Sequence, residues 1–188
     1  AGGAVEGGVS VAAVTWNLAG KLPPASINSI VPETLCDIYV IGTQECLVNC
    51  GTFKSFIKPS KAKWERRIQA VLGPSYEMLQ SCSMNALHLA VFARAHLACH
   101  VADLKVESVA TGFMNMVGNK GGVAVKFSLR GKSFCFINSH LSAHQHKVES
   151  RNSDWRRIED QLEKTLQSPG KRPIQRAIYT THGVVGAG

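Results

Sequence analysis

Apolar positions in this chain fall mostly into short runs rich in β-branched residues, which is a strand pattern, and show helical spacing in few places. Residues 9–16 are small and β-branched and read as a buried strand ending at Asn17. Residues 37–42 form a second continuous apolar run, which delivers Gln44 and Glu45 at its C-terminal end. Strand-like runs follow at 76–82, 87–95 and 99–109. In the second of these, Leu87, Leu89, Val91 and Ala93 alternate with His88, Ala90, Phe92 and Arg94, a contrast so partial that both faces are expected to be covered. Residues 122–129 and 132–138 read as a hairpin turning at Arg130-Gly131.

Helical spacing is clear twice. In residues 61–72, Trp64, Ile68, Val71 and Leu72 share one face, Lys63, Glu65 and Arg66 lie outside, and Gly73-Pro74 supplies the stop. In residues 147–166, Trp155, Ile158, Leu162 and Leu166 make one stripe. A short helix at 27–35, broken by Pro32, is a weaker pattern, and Pro23-Pro24 marks a loop. Three successive strands without intervening helices argue against a plain doubly wound parallel sheet, so the fold class is α/β (α+β), mixed sheets with helices packed on them. The length of 188 residues suits one domain, with a flexible leader at 1–8, a folded body at 9–167 and, after the breaker cluster 168–173, a divergent or disordered tail at 168–188.

Composition adds one constraint. With 45% hydrophobic and 18% charged residues the chain is globular, and 21 Lys+Arg against 13 Asp+Glu give a net charge of +8. That excess favours anionic partners such as phosphates, nucleic acid or an acidic membrane face without choosing among them, and equally suits a merely soluble basic domain. Six cysteines, at 36, 46, 50, 82, 99 and 135, contain no C-x-x-C pair and read as reduced core residues of an intracellular protein. No apolar run approaches transmembrane length, and the first residues lack a signal-peptide pattern.

The candidate chemistry sits where strands end. Glu45 beside Gln44 offers the oxygen ligands that a hard cation such as Mg²⁺ takes, and Asn17 could add a carbonyl oxygen or orient a water. Each residue alone is equally an ordinary turn residue. Gly118-Asn119-Lys120-Gly121-Gly122 resembles a phosphate cradle, with glycines that let backbone N–H groups approach an anion and a lysine as point charge. It is not a Walker A loop, because Asn119 intervenes before the lysine and Gly121 follows it. His140, His144 and His146 could form a zinc site, as could Cys46 and Cys50, but His140 at a strand end is better read as a phosphate donor. Phe113, Met114 and Met116 make an apolar run beside the cradle, either a core cap or a membrane contact.

Together these pieces resemble the inositol polyphosphate 5-phosphatase family. The resemblance rests on Thr15-Trp16-Asn17, Gly42-Thr43-Gln44-Glu45, Ala110-Thr111-Gly112 leading to Gly118–Gly122, Phe136-Ile137-Asn138-Ser139-His140-Leu141-Ser142-Ala143-His144, and Arg151-Asn152 with Asp154, in that order over residues 9–166. It implies a partial four-layer αββα sandwich of the deoxyribonuclease I-like type and Mg²⁺-dependent removal of the 5-phosphate from phosphoinositides or soluble inositol phosphates. By the same resemblance Glu45 is the metal carboxylate and Asn17 its companion. His140 contacts the scissile phosphate, Asn119, Lys120 and Asn138 position substrate, and Arg151 and Asn152 brace the His140 loop. The substrate class implies a cytoplasmic protein, peripheral on acidic membranes, with no nucleic acid partner. The family's later Gly-Asp-x-Asn-Tyr-Arg and Ser-Asp-His segments have no counterpart in this sequence, so the 188 residues by themselves are expected to be an incomplete catalytic domain with little activity. The alternatives are a catalytically inactive phosphoinositide-binding fragment and a nuclease of the same superfamily.

Overall fold

The two-residue alternation of the central strands assigns each one to two cores at once. In β2 (Ile38–Gln44), Ile38 and Val40 face one way and Tyr39 and Ile41 the other, and every residue of the strand is buried. The computed structural model describes residues 8–21, 26–28, 35–46, 61–111 and 120–166. Their elements run β1 (Val11–Asn17), β2, α1 (Ala62–Leu72), β3 (Tyr76–Met84), β4 (Leu87–Arg94), α2 (Ala95–Ala98), β5 (Val101–Ala110), β6 (Gly121–Leu129), β7 (Lys132–His140) and α3 (Val148–Leu166). The weak helix at 27–35 falls largely outside the described residues.

Two sheets form. One has the order β1-β2-β4-β3, with β1 and β2 parallel and the other pairs antiparallel; the second is the antiparallel meander β5-β6-β7. Between them lies an apolar core of Ile38, Val40, Leu87, Leu89, Val91, Val123, Val125 and Phe127, with Phe134 and Phe136 packed against it. Outside the first sheet, α1 places Trp64, Ile68 and Leu72 on Tyr39, Ile41, Ala90 and Phe92. Outside the second, α3 places Ile158, Leu162 and Leu166 on Val109 and Ala124. The layers are therefore helix, sheet, sheet, helix, as expected, and β4 is buried on both faces because it is interior in its sheet and lies between two cores.

Small residues seat α3. A Cβ at Gly122 would stand 2.9 Å from Ile158 Cγ2, so the helix rests directly on the backbone of β6. Its last turn is capped from the sheet, where buried Lys126 donates to the Leu166 carbonyl at 2.5 Å, a cation at the negative end of the helix dipole. The hairpin turns at Arg130 and Gly131, both with positive φ (50° and 74°), which suits the right-handed twist of the strands.

Three expectations change. Trp155 is only half-buried and Asp154 takes its place on the inner face of α3, because its carboxylate accepts from Ser142. Glu65 is not an outward residue of α1: it meets fully buried His88 of β4 at 3.0 Å, and that hydrogen bond holds its carboxyl below the usual range. Cys99 is exposed, whereas Cys46 is buried and Cys135 half-buried; both thiols are pushed up by desolvation, Cys135 to about 11, which leaves them unreactive.

Asp37 ties the start of β1 to β2 and gives a pH-dependent stability. Its Oδ2 accepts from Ser10 N and Oγ at 2.9 and 2.8 Å, and Arg94 Nε lies 3.4 Å from Oδ1. The Ser10 backbone bond, chiefly, holds the carboxyl below its ordinary 3.8. A carboxyl lowered on folding stabilises the fold fully above its unfolded value and loses that contribution as pH falls through the folded one. Urea unfolding at stepped pH should therefore show a loss below pH 3.8 that is smaller in Asp37→Asn.

Candidate active site

The parallel pairing of β1 with β2 brings Asn17 beside Gln44, so both strands end at one margin of the first sheet. In the second sheet the pairing of Gly121 with His140 puts Lys120 and His140 at the corresponding margin. Four sequence candidates thus converge, two from each sheet. Asn17 Nδ2 donates to Glu45 Oε1 at 3.2 Å, and the same carboxylate oxygen lies 3.7 Å from His140 Nε2. His140 Nε2 is in turn 2.6 Å from Lys120 Nζ.

Glu45 has a positive φ of 53°, uncommon for a side chain of this kind. The backbone on either side enforces it. Leu18 N donates to the Gln44 carbonyl at 2.9 Å, Gly20 N to that of Glu45 at 3.1 Å and Cys46 N to that of Ala86 at 2.9 Å, while buried Lys61 holds the Cys46 carbonyl. Backbone strain of this sort, about 1–3 kcal/mol, persists where the surroundings over-determine it and clusters at working residues.

Two N–H groups cannot share a hydrogen bond, so where Lys120 is an ammonium it donates and His140 Nε2 accepts. Burial lowers the Lys120 pKa below its usual value, while Glu45 and then Asp154 pull it back up. The loop after His140 is latched from α3: Asp154 Oδ2 accepts from Ser142 N at 2.8 Å and Oγ at 2.7 Å, and Arg151 Nη1 and Nη2 donate to the carbonyls of His144 and Gln145 at 2.6 and 3.3 Å. His144 and His146 stack on each other in solvent at 5.8 Å, so the three histidines do not share a site.

Several expectations are redrawn by this geometry. Asn17 Oδ1 accepts from Ala19 N at 2.8 Å while its Nδ2 donates to Glu45, so the amide steadies the carboxylate. Asn138, expected to touch substrate, is 6% exposed and its carboxamide is engaged by Thr43, His88 and Gln44. Arg151 is engaged by the carbonyls of His144 and Gln145, and Asn152 is exposed on α3. Asp154 and Ser142, quoted above only within the motifs of the resemblance, make the latch between α3 and the loop; the signal for it was an acid at a buried-stripe position. Asn119, Phe113, Met114, Met116 and Cys50 lie outside the described residues. Among the described residues, no group of three or more His, Cys, Asp or Glu could hold a metal ion, and no helix is long and apolar enough to cross a membrane. One exposed carboxylate steadied by an amide fits a cation that keeps most of its waters, as Mg²⁺ does, and does not fit zinc.

Comparison with known proteins meets this site from outside. The chain is 29% identical over 164 residues to mouse type II inositol 1,4,5-trisphosphate 5-phosphatase, covering 85% of this chain and 16% of that protein. It is 30% identical over 172 residues to human phosphatidylinositol polyphosphate 5-phosphatase type IV, covering 89% and 25%. The chain thus spans a quarter or less of these two relatives. Among solved structures it superposes on the inositol polyphosphate 5-phosphatase domain of SPsynaptojanin, solved with inositol (1,4)-bisphosphate and calcium, with a TM-score of 0.70 and 26% identity over 89% of this chain and 49% of that one. The family model "Endonuclease/Exonuclease/phosphatase family 2" matches residues 14–187, and the chain belongs to that family.

Proposed function

We propose that this chain carries the cation side and the phosphate side of a site that hydrolyses the 5-phosphate of inositol polyphosphates or phosphoinositides with Mg²⁺. The observation that supports this most is the Lys120–His140 pair set against the lone Glu45 carboxylate, a cationic anchor and a hard-cation ligand within one contact of each other. The names of the relatives supply the substrate class. In the reaction, water adds to phosphorus as the bond to the inositol oxygen breaks, giving inorganic phosphate and a free hydroxyl. The metal ion, when bound, would neutralise phosphate charge and polarise the phosphorus–oxygen bonds.

The protein's part is placement. Lys120 donates one N–H to His140 and carries two more with which to hold phosphate oxygens. Asn17 keeps the Glu45 carboxylate turned toward the site. Partial burial of Lys120 strengthens its pull on an anion by excluding water. Asn119 is assigned to positioning substrate phosphates, Arg151 steadies the loop through the carbonyls of His144 and Gln145, and a lipid substrate would bring Phe113, Met114 and Met116 onto an acidic, cytosolic membrane surface.

Asp154, the aspartate that Lys120 senses, is already engaged by Ser142. Calorimetric titration with inositol 1,4,5-trisphosphate, short-chain phosphatidylinositol 4,5-bisphosphate and a DNA oligomer tests the substrate class, with phosphate release followed in parallel. Lys120→Ala should weaken inositide binding by about 1.5–3 kcal/mol, tenfold or more, as expected for loss of a charge-assisted contact. Equal affinity of wild type and Lys120→Ala, or a preference for DNA, overturns the reading.

A further inference from the structure

Asn138 belongs to β7, in the second sheet, yet its side chain is bonded into the first. Nδ2 donates to the carbonyl of Thr43 in β2 at 3.1 Å and to that of His88 in β4 at 2.8 Å. Oδ1 accepts from Gln44 Nε2 at 2.6 Å, and Gln44 Nε2 also donates to Thr15 Oγ1 in β1 at 2.9 Å. One carboxamide thus grips two strands of the facing sheet and, through Gln44, a third. The approach depends on Gly42, where a Cβ would stand 2.8 Å from Asn138 Cγ.

The position along the strands gives this clasp its meaning. Asn138 is two residues before His140, so both point toward the first sheet. Thr43 and Gln44 immediately precede Glu45. The clasp therefore lies one strand step beneath the place where the Glu45 carboxylate meets His140. The core around it is apolar, and apolar packing is non-directional. Hydrogen bonds are directional, and buried ones are costly to leave unmade, so they can fix how far one sheet slides on the other.

We infer that Asn138 is a positioning residue that sets the spacing between the two halves of the site, His140 and Lys120 on one sheet and Glu45 and Asn17 on the other. The structural statement stands by itself; its bearing on catalysis rests on the function proposed above. Nothing in this role requires Asn138 to touch substrate.

The test reads His140 and not activity. The imidazole signals of the 188-residue chain, free of metal, are compared by NMR between wild type, Asn138→Ala, Gly42→Ala and Thr15→Val. Gly42→Ala pushes on Asn138 while removing no hydrogen-bonding group, and Thr15→Val removes only the outer anchor of Gln44, so a folded variant is available if Asn138→Ala unfolds. The expected result is a shift or doubling of the His140 signals and weakening of the Glu45–His140 nuclear Overhauser contact. The change should be largest in Asn138→Ala and smallest in Thr15→Val, with α1 and α3 signals in place. Unmoved His140 signals in every folded variant, with loss of stability alone, overturn the inference.

A second arm adds Mn²⁺ as a paramagnetic probe. It should broaden Glu45 and His140 together in wild type, and His140 less in Asn138→Ala at unchanged Mn²⁺ affinity. Absence of broadening in wild type would sink the cation site, while the metal-free signals still decide the role of Asn138.

Discussion

Replacing Phe127 with alanine is expected to lower the unfolding free energy by about 3–5 kcal/mol, the usual cost of removing a fully buried phenyl ring. Phe127 is fully buried in β6, on the face turned toward the first sheet. Its ring lies 5.5 Å from that of Phe134 and 6.0 Å from that of Phe136, so the substitution also removes two aromatic contacts. The cavity has little chance to collapse, because its walls are side chains fixed on paired strands. Domains of this size are typically stable by about 5–15 kcal/mol, so a large share of the whole is at stake. Urea denaturation measures the effect, with Phe127→Leu as the milder comparison. A loss under about 1 kcal/mol would show that this ring is not a centre of the inter-sheet core.

Gly121→Ala is expected to be about as damaging for a different reason, and to reach the site as well. Gly121 has φ of 144°, a conformation that side chains rarely adopt, and a Cβ there would stand 2.0 Å from the Val109 carbonyl oxygen and 2.7 Å from Met84 Cε. Strain in this region alone costs about 1–3 kcal/mol, and the clash with fixed backbone adds to it. Relief requires β5 and β6 to part at their end, which is where Gly121 joins Lys120 and pairs with His140. A loss of about 3 kcal/mol or more should therefore come with displaced His140 imidazole signals. Gly131→Ala serves as the control, since its turn is open to solvent with nothing within 4 Å of an added Cβ, leaving only the strain of its φ of 74°. If Gly121→Ala is no more destabilising than Gly131→Ala, close packing at the cradle is not what demands glycine.

The strands were legible because burial on two faces leaves continuous apolar runs. Residues 37–42 and 87–95 announced β2 and β4, and Arg130-Gly131 announced the hairpin. The short α2 (Ala95–Ala98) was not legible, since four residues carry no period. Glu45, Lys120 and His140 were found by their places at strand ends, and the structure brings them together. What the residues around them do was not legible. Whether an amide faces a ligand or the protein depends on partners far away in sequence: Asn138 is engaged by residues 94, 95 and 50 positions distant. The same holds for Asp154, an acid on an otherwise apolar stripe, whose partner lies on a loop that periodicity cannot place.

The seat of α3 on Gly122 has a consequence for how this sequence can drift. The row Asp154, Ile158, Leu162 makes one face of the helix, so whatever lifts Ile158 also lifts the acid one turn earlier. That acid holds Ser142, two residues after His140. A single added methyl group at position 122 would thus be felt as a change of reach at the loop, with the helix acting as a rigid lever between them. Bulk at this one spot is filtered twice, once by packing and once by the loop that depends on it, and substitutions that enlarge it should survive only alongside a smaller residue at 158.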